Sequence, residues 1–524
     1  MFEVPRRFRG ASGYSLLAGA IVGAIALAAI TAVPVGVFWD DGVYLIGAKS
    51  LASGAGYRFL HLPGAPPAVH FPPVWPALLA LVWRLNPSFP DNVVLLKMVN
   101  PLLLAVGAGL ATWYGARRFD VPAPIAAATA IIFAAALPVI VIAGVLFSEP
   151  LFFVVLVGAL MLADRAVDQG GWRNALIAGA AAGILTLTRS AGLVLVPALV
   201  IALLIRRRNR ESLVAAAGAV AVLAPWQYWI ATRVGELAGP FRGSYGPYID
   251  WVLGLYRDRG AAFALVIARM NLLGVMRSLG VSLFPFGPRE IRPLLVTLVI
   301  VVSAIAVIRA RRRATTALLF MLFYFGVVFV WPYAPDRFMW AIWPLLGMLL
   351  ASGVVECWRI GTHAGSVQSV RVTTSFACAL GVFALGGHAG YSIRGASRHW
   401  WDSAARSNAD ALLPAAAWIN ANTKPDDVIA VDGEPFIYLH TGRTVVPVHI
   451  LSPDEYFAGT PLERAAADLR SLIEIGKPQY AVFSGAAGER DAAPLLDGRN
   501  GTPKLEWITA ISGGGSVYRV VLAK

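Results

Sequence analysis

The sequence predicts an α-helical membrane protein with many spans, followed by a soluble α/β domain. Its 524 residues are 57% hydrophobic and 14% charged, whereas soluble proteins carry roughly 25% charged residues. Long apolar runs recur through residue 391, and the mean hydropathy of the chain is +0.66. After residue 392 the pattern changes to short apolar runs separated by Gly, Pro and Asp. These observations exclude a single soluble globular domain.

Eleven stretches are long and apolar enough to be predicted as spans, because a helix needs about 20 residues to cross a bilayer. The predicted spans are residues 14–37, 93–116, 122–146, 150–164, 174–188, 190–205, 212–231, 291–308, 315–331, 338–355 and 373–391.

Short basic clusters between the apolar runs predict the orientation. With the "RRFR" of residues 6–9 in the cytoplasm, the clusters at Arg117–Arg118, Arg206–Arg208 and Arg309–Arg313 all fall on the same side. Cytoplasmic loops carry such an excess of Lys and Arg, so the chain is expected to have its N-terminus inside and its C-terminus outside. No basic helix is interleaved with aromatic residues, so the net charge of +14 does not indicate nucleic-acid binding.

The same orientation places four segments outside the cytoplasm. They are a first loop over residues 38–92, a turn around Glu149, a loop over residues 232–290 and a short turn ending at Arg337. Within the third segment, residues 261–284 form an apolar run interrupted by two arginines. We predict an amphipathic helix lying on the outer surface there, with a twelfth partial span as the alternative.

Two domains are therefore expected: residues 1–392 in the membrane and residues 393–524 as an extracytoplasmic α/β domain. Apolar β runs and a Pro-Asp turn indicate helix and strands in the second domain. Its glycines at 513–515 lie between two predicted strands with no following helix, which predicts a hairpin turn instead of a nucleotide-binding loop. The two cysteines have neither metal-binding nor disulfide spacing.

Candidate functional residues come from distant parts of the chain but fall on one predicted face of the membrane. Taken singly, the acidic pair could end a span, Glu149 could be a solvated turn, and Arg337 could reach to the interface. Arg189 is harder to explain in this way because it interrupts about thirty apolar residues, and a charge there is costly without a partner or cavity. The candidates on this face are Asp40, Asp41, His70, Glu149, Arg189 and Arg337.

Carboxylates beside arginines at headgroup depth fit a reaction of a lipid-linked sugar phosphate. Arginines can hold the phosphate and stabilise it as it leaves. A carboxylate on the other side of the anomeric carbon can accept the proton of an acceptor hydroxyl. The expected chemistry is a direct displacement with inversion.

Several motifs resemble the multi-spanning glycosyltransferases of the GT-C fold, which include protein O-mannosyltransferases and aminoarabinose transferases. The resemblance is sharpest in "DDGVYLIGAKSLASGAGYR", which matches the family's acidic pair after the first span. It extends to "HFPPVWPALLALVW", "SEPLFF", "LTRSAGLVLVPAL" and "DRFMWAIWPLL". The resemblance implies a GT-C-like membrane domain and a polyprenyl-phosphate sugar as donor.

Position by position, the resemblance implies roles for single residues. Asp40 matches the loop aspartate assigned to catalysis and Asp41 its acidic neighbour, so both are predicted as catalytic, with Asp40 as the general base. His70 and Phe71 stand where aminoarabinose transferases have Glu-Lys, a departure that argues against an aminoarabinose donor. The predicted substrate-binding residues are Tyr44, His70, Glu149, Arg189 and Arg337.

The sequence thus predicts an inverting glycosyltransferase of the bacterial cytoplasmic membrane, acting on its outer face. The predicted acceptor is a glycolipid, a polysaccharide or a protein. The resemblance leaves a divalent cation open, since some members of the fold use one, and it implies no other cofactor. Two alternatives remain: a transporter or flippase of lipid-linked sugars, and a non-catalytic scaffold of an envelope polysaccharide assembly complex. A transporter usually has two related halves and midplane charges, and neither pattern is visible.

Overall fold

The computed structural model describes residues 11–451, 461–485 and 503–522, and single residues at 453, 457, 490, 493 and 495. The basic residues at 6–9, used above as a topology signal, lie outside the described part of the chain.

Each of the eleven predicted spans contains a helix or a pair of consecutive helices. Short 3-10 helices lie at Ser190–Val194 and Val234–Glu236. The helices are α1 (Ala11–Ala28), α2 (Trp39–Ala52), α3 (Val74–Leu85), α4 (Val93–Lys97), α5 (Val99–Arg118), α6 (Ala123–Ala134), α7 (Leu137–Gly144), α8 (Glu149–Gln169), α9 (Trp172–Thr188), α10 (Leu195–Ile205), α11 (Asn209–Arg233), α12 (Gly239–Tyr245), α13 (Tyr248–Arg259), α14 (Phe263–Leu283), α15 (Arg292–Ala310), α16 (Thr315–Val330), α17 (Asp336–Ala341), α18 (Trp343–His363) and α19 (Gln368–Ser397).

By length and apolar composition, eight helices of the described chain could cross a membrane, or nine if the α6–α7 pair is one span. This pair bends by 54°, and Pro138 at the start of α7 cannot continue the hydrogen bonds of α6. Three shorter apolar segments, Val74–Leu85, Ser190–Ile205 and Thr315–Val330, accompany them. The molecule is therefore a membrane protein built from many helices, as the sequence predicted.

The first helix is shorter than its apolar run. The predicted span extended to residue 37, but α1 ends at Ala28 and residues 29–38 form an irregular segment. Pro34 cannot donate a helical hydrogen bond, and Gly36 has φ +84°, which a helix does not allow. This segment leads directly into α2, which carries the acidic pair.

The helix bundle has two chemically distinct ends. At one end, which we call the basic end, Arg118 pairs with Asp168 at 2.7 Å, and both Arg313 and Arg359 pair with Asp120. Arg206 donates to the carbonyl of Arg312 at the same end. The clusters that share one side in the sequence prediction therefore share one end of the bundle. The other end, the site end, carries Asp40, Glu149, Arg189 and Arg337.

Helix α14 contacts its neighbours near the site end. Asn271 donates to the carbonyls of Val328 and Trp331, where α16 ends. The backbone of α14 meets Pro335 at Gly274 and Arg292 at Gly280. These contacts agree with a helix lying along that end, although its length and composition would also permit a span.

The C-terminal domain is a small α/β unit around one five-stranded sheet. Its strands are β1 (Val428–Val431), β2 (Thr444–Pro447), β3 (Tyr480–Phe483), β4 (Lys504–Ile511) and β5 (Gly515–Val521), in the order β2-β1-β3-β5-β4. Among its described residues, the helices are α20 (Trp400–Asn422), α21 (Glu434–Thr441) and α22 (Leu462–Gly476).

Parallel pairing joins β1 to β2 and β3, while β5 is antiparallel to both β3 and β4. Strands β4 and β5 form a hairpin whose turn includes Gly513 and Gly514, both with positive φ. The predicted hairpin turn is confirmed.

Candidate active site

The site end is organised around Arg337 at the start of α17. Its Nη1 lies 2.6 Å from Oδ2 of Asp40, and its Nε donates to Oε1 of Glu149 at 3.0 Å. Glu149 is 1% exposed, whereas the side chains of Asp40 and Arg337 are 25% and 32% exposed. One guanidinium therefore bridges a buried carboxylate and an accessible one.

Arg189, the extended residue directly after α9, contacts the same buried carboxylate. Its Nη1 lies 2.9 Å from Oε1 of Glu149 and donates to Oγ of Ser148 at 3.1 Å. Tyr44 reaches this group through its hydroxyl, 3.4 Å from Oγ of Ser148. The two arginines and two carboxylates form a continuous series of ion pairs, which we call the charged cluster (Asp40, Glu149, Arg189 and Arg337).

The turn before Glu149 is held in an unusual conformation. Leu146 has φ +58°, a region that residues other than glycine rarely adopt. Asn100 donates to the carbonyls of Ala143 and Phe147, and Trp75 donates to the carbonyl of Leu146. These bonds fix the direction in which α8 begins, and with it the position of Glu149.

The segment before Asp40 is anchored by a buried lysine. Lys97 donates from Nζ to the carbonyls of Thr31 and Val33, at 2.9 and 2.5 Å. A buried ammonium without acceptors would be costly, so these carbonyls satisfy Lys97 while Lys97 orders the segment.

Asp41 has a different environment from Asp40. It is fully buried, and its carboxylate accepts the backbone N–H groups of Gly36, Phe38 and Gly42 at 2.7, 2.8 and 3.0 Å. Burial raises the pKa of Asp41 to about 8, although these N–H groups act in the opposite direction. The geometry therefore makes Asp41 the cap of α2, while Asp40 faces Arg337.

His70 lies beside the charged cluster in a ring of aromatic side chains. Its Nδ1 is 2.6 Å from the carbonyl of Gly246, to which it donates. Its ring centroid is 4.3 Å from Tyr248, 4.8 Å from Trp251 and 5.4 Å from Trp39. Burial lowers the pKa of His70 to about 4, so the imidazole is neutral. His70 therefore packs among aromatic side chains at the site end and takes no part in the ion pairs.

The donor set does not suit a metal ion. Asp40 and Glu149 already share the guanidinium of Arg337, which lies where a bridging cation would have to bind. Within the described part of the chain, no group of three or more His, Cys, Asp or Glu side chains is placed to hold a metal. We therefore derive no catalytic step through a cation.

Some residues of the site end were not found from the sequence. Ser148 connects Arg189 and Tyr44, and Phe147 packs against the guanidinium of Arg337, 3.9 Å from its ring centroid. Ser148 is the first residue of the quoted "SEPLFF" and Phe147 directly precedes it, so their proximity to Glu149 was the available signal. Glu434 of the C-terminal domain accepts a hydrogen bond from Trp39, beside Asp40, and no local pattern indicates that contact.

The helical architecture, the charged cluster at one end and the small sheet domain define a membrane protein with the GT-C fold of glycosyltransferases. Two crystal structures of ArnT from Cupriavidus metallidurans are similar to this chain, one bound to undecaprenyl phosphate and one in the apo state. In each case the TM-score is 0.55, the identity is 15%, and the match covers 97% of this chain and 98% of ArnT. At this identity the likeness establishes the fold.

One family model also matches part of the sequence. Residues 70–229 match the family described as dolichyl-phosphate-mannose-protein mannosyltransferase. No curated protein matches the chain in a sequence search. The matched segment contains Glu149 and Arg189 of the charged cluster, whereas Asp40 and Arg337 lie on either side of it.

Proposed function

We propose that this protein is an inverting glycosyltransferase that moves a sugar from a polyprenyl-phosphate donor to an acceptor hydroxyl at the site end. The observation that carries the proposal is the bridge from Asp40 through Arg337 to Glu149. The fold supports it, as does ArnT, a protein of similar fold whose crystal structure contains undecaprenyl phosphate. The site end is proposed to face the outside of a bacterial cytoplasmic membrane.

The arginines provide the phosphate site. Arg189 and Arg337 both contact Oε1 of Glu149, so the buried carboxylate holds two guanidinium groups close together. Two cations in a water-poor site bind a phosphate strongly and stabilise the charge that develops as it leaves. Glu149 acts as the fixed anchor that orients them.

Donor binding also prepares the base. In the charged cluster, the carboxylate of Asp40 forms an ion pair with Arg337. A phosphate that attracts Arg337 weakens this ion pair and frees the carboxylate of Asp40, which is the accessible one of the two. The donor therefore assembles the reactive arrangement as it binds.

The transfer step then needs only the donor, the acceptor and these side chains. The acceptor oxygen forms a bond to the anomeric carbon while its proton passes to Asp40. The bond between that carbon and the phosphate oxygen breaks, and its electron pair leaves with the polyprenyl phosphate. Because attack and departure occur on opposite faces, the anomeric configuration inverts.

A reconstituted transfer assay tests the proposal. Purified protein in liposomes receives labelled polyprenyl-phosphate sugars with glycolipid, polysaccharide and peptide acceptors. Asp40→Asn is expected to lower kcat by about 10²- to 10⁴-fold, the usual contribution of a general base. Asp91→Asn is the matched control, because Asp91 is exposed in the same loop and pairs with Ser88.

Equal activity of Asp40→Asn and wild type would remove Asp40 as the base. The same assay separates the other two functions. Movement of the labelled lipid between leaflets without transfer would identify a transporter. If no donor and acceptor pair gives either sugar transfer or lipid movement, the result would favour the scaffold.

A further inference from the structure

The C-terminal domain reaches the residue next to Asp40 through a buried carboxylate. Glu434, the first residue of α21, is 3% exposed. Its Oε1 accepts a hydrogen bond from Nε1 of Trp39 at 2.9 Å and another from the hydroxyl of Tyr245 at 2.6 Å. Trp39 is the first residue of α2 and directly precedes Asp40.

The hydrogen bonds continue into the first loop. His61 lies with Nε2 at 2.8 Å from the hydroxyl of Tyr245. A tyrosine hydroxyl has one hydrogen, and a carboxylate only accepts, so Tyr245 donates to Glu434 and accepts from Nε2–H of His61. Burial lowers the pKa of His61, which keeps its ring neutral. These residues, His61, Tyr245, Glu434 and Trp39, are here called the Glu434 network. Tyr245 on one side and Trp39 on the other both donate to the carboxylate of Glu434.

Close backbone packing accompanies the Glu434 network. A Cβ at Gly42 of α2 would lie 2.6 Å from Cβ of Pro435, and one at Gly36 would lie 3.0 Å from Leu439. The first loop also joins the sheet edge, because the N–H of Val445 donates to the carbonyl of His61 at 2.8 Å. The segment that carries Asp40 therefore packs directly on α21, and the first loop contacts β2 through His61.

Trp39 is held from several directions. Glu434 binds its indole N–H, the ring of Tyr245 lies 5.1 Å away, and the ring of His70 lies 5.4 Å away. Trp39 and Asp40 are consecutive residues of the first turn of α2, and this turn presents Asp40 to Arg337. Contacts that hold Trp39 in place therefore also limit the movement of the neighbouring Asp40 carboxylate.

We propose that Glu434 is a positioning residue: by binding Trp39 it fixes the start of α2, so that the C-terminal domain is a structural part of the transfer site. The expected effect on kcat rests on the proposed function, whereas the expected effect on the start of α2 does not. Displacement of a reacting group by about 1 Å can lower a rate about 100-fold, so loss of the Trp39 contact acts on the rate of transfer.

The kinetic test compares three variants in the transfer assay. Glu434→Met removes both acceptor bonds at similar volume and is expected to lower kcat about 10- to 100-fold, with donor KM within about twofold of wild type. Glu434→Gln keeps a carbonyl acceptor, so its kcat should be within about threefold of the wild-type value. Glu463→Met, at an exposed position of α22, is the matched control. Equal kcat for Glu434→Met and Glu463→Met would overturn the proposal.

A double-mutant cycle shows whether Glu434 acts through Trp39. Trp39→Phe removes the same N–H bond from the other side. The double variant Trp39→Phe/Glu434→Met should be no slower than the slower single variant, because the bond is lost only once. Fully additive losses would show that Glu434 acts by another route, and would overturn the proposed mechanism. If Glu434→Met fails to fold, Trp39→Phe provides the kinetic comparison instead.

Hydrogen exchange tests the same contact without any activity. The amides of Gly36, Phe38 and Gly42 bind Asp41 and should be protected in wild type. In Glu434→Met, or in Trp39→Phe, the peptide covering residues 36–42 is expected to exchange faster than in Glu463→Met. Unchanged exchange would overturn the positioning role even if no sugar is transferred. Faster exchange in a protein without transfer activity would contradict only the proposed function.

Discussion

At the scale of single residues, the site end depends on the geometry of a guanidinium. Arg337 uses Nη1 for Asp40 while Nε and Nη2 contact Glu149. The carboxylates of Glu149 and Asp40 raise the pKa of Arg337 above its ordinary value, although burial alone would lower it. A single ammonium has no planar fork to reproduce these contacts. Charge alone therefore does not define this position.

Arg337→Lys is expected to lower kcat for sugar transfer about 10²- to 10³-fold, comparable to loss of one donor that stabilises a leaving anion. Arg233→Lys is the control, because Arg233 is exposed at the end of α11 and pairs with Glu236. Steady-state kinetics in liposomes provide the measurement. A lysine variant with wild-type kcat would remove Arg337 from the phosphate site.

His70 gives a pH-dependent prediction. Burial lowers its pKa to about 4 in the folded protein, whereas the unfolded value is about 6.5. Between these values the unfolded chain binds more protons, so stability is lost as pH falls. At pH 5 the loss from His70 is about 2 kcal/mol. His61 has the same sign, since burial lowers its pKa to about 3.

His70→Asn keeps a donor for the carbonyl of Gly246 but removes the titration. Thermal unfolding in detergent at pH 7 and pH 5 is the measurement. The midpoint of the variant should fall less between the two pH values than that of wild type. An equal fall in both proteins would mean that the pKa of His70 in the folded protein is close to its value in the unfolded chain.

At the scale of elements, α9 and α11 approach each other through small residues. A Cβ at Gly179 would overlap the carbonyl oxygen of Ala215, and one at Gly218 would lie 2.6 Å from the carbonyl oxygen of Leu176. Helices in membranes pack closely through such residues because lipid provides little hydrophobic drive between them. These glycines therefore determine the distance between the two helices.

Gly179→Ala should destabilise the protein by about 1–3 kcal/mol, the usual cost of overpacking. Gly158→Ala on α8 is the matched control, since a Cβ there meets no atom within 4 Å. Thermal midpoints in detergent should fall for the first variant and stay near wild type for the second. A Gly179→Ala protein as stable as the control would show that the helices separate at little cost.

The elements also show how far sequence reasoning reached. Apolar length located the helices of the bundle because a bilayer requires long apolar helices. Eleven spans were predicted, whereas eight or nine helices of the described chain are long and apolar enough to cross a membrane. Apolar length did not locate the end of α1, because the apolar run continues through Pro34 and Gly36 into an irregular segment. The acidic pair was recognised, but only the backbone path separates Asp41, which binds three N–H groups, from Asp40, which binds Arg337.

At the scale of the whole molecule, the two ends of the bundle predict orientation. Cysteines are introduced at Lys424, exposed in the C-terminal domain, and at Arg311, exposed at the basic end. Cys357 and Cys378 are replaced by alanine in this background. A membrane-impermeant thiol reagent applied to intact cells should label position 424 and reach position 311 only after lysis. The reverse pattern would contradict the predicted orientation.

The sequence by itself determined the class of molecule, its long apolar helices, the grouping of its basic clusters and all four members of the charged cluster. Those features follow from the cost of placing charge in a bilayer, which each segment must satisfy locally. Only the tertiary structure decided that Arg337 bridges Asp40 and Glu149 and that Glu434 binds Trp39, 395 positions earlier in the chain. Such contacts depend on how helices and domains that are distant in the sequence pack together, and no local sequence pattern encodes that packing.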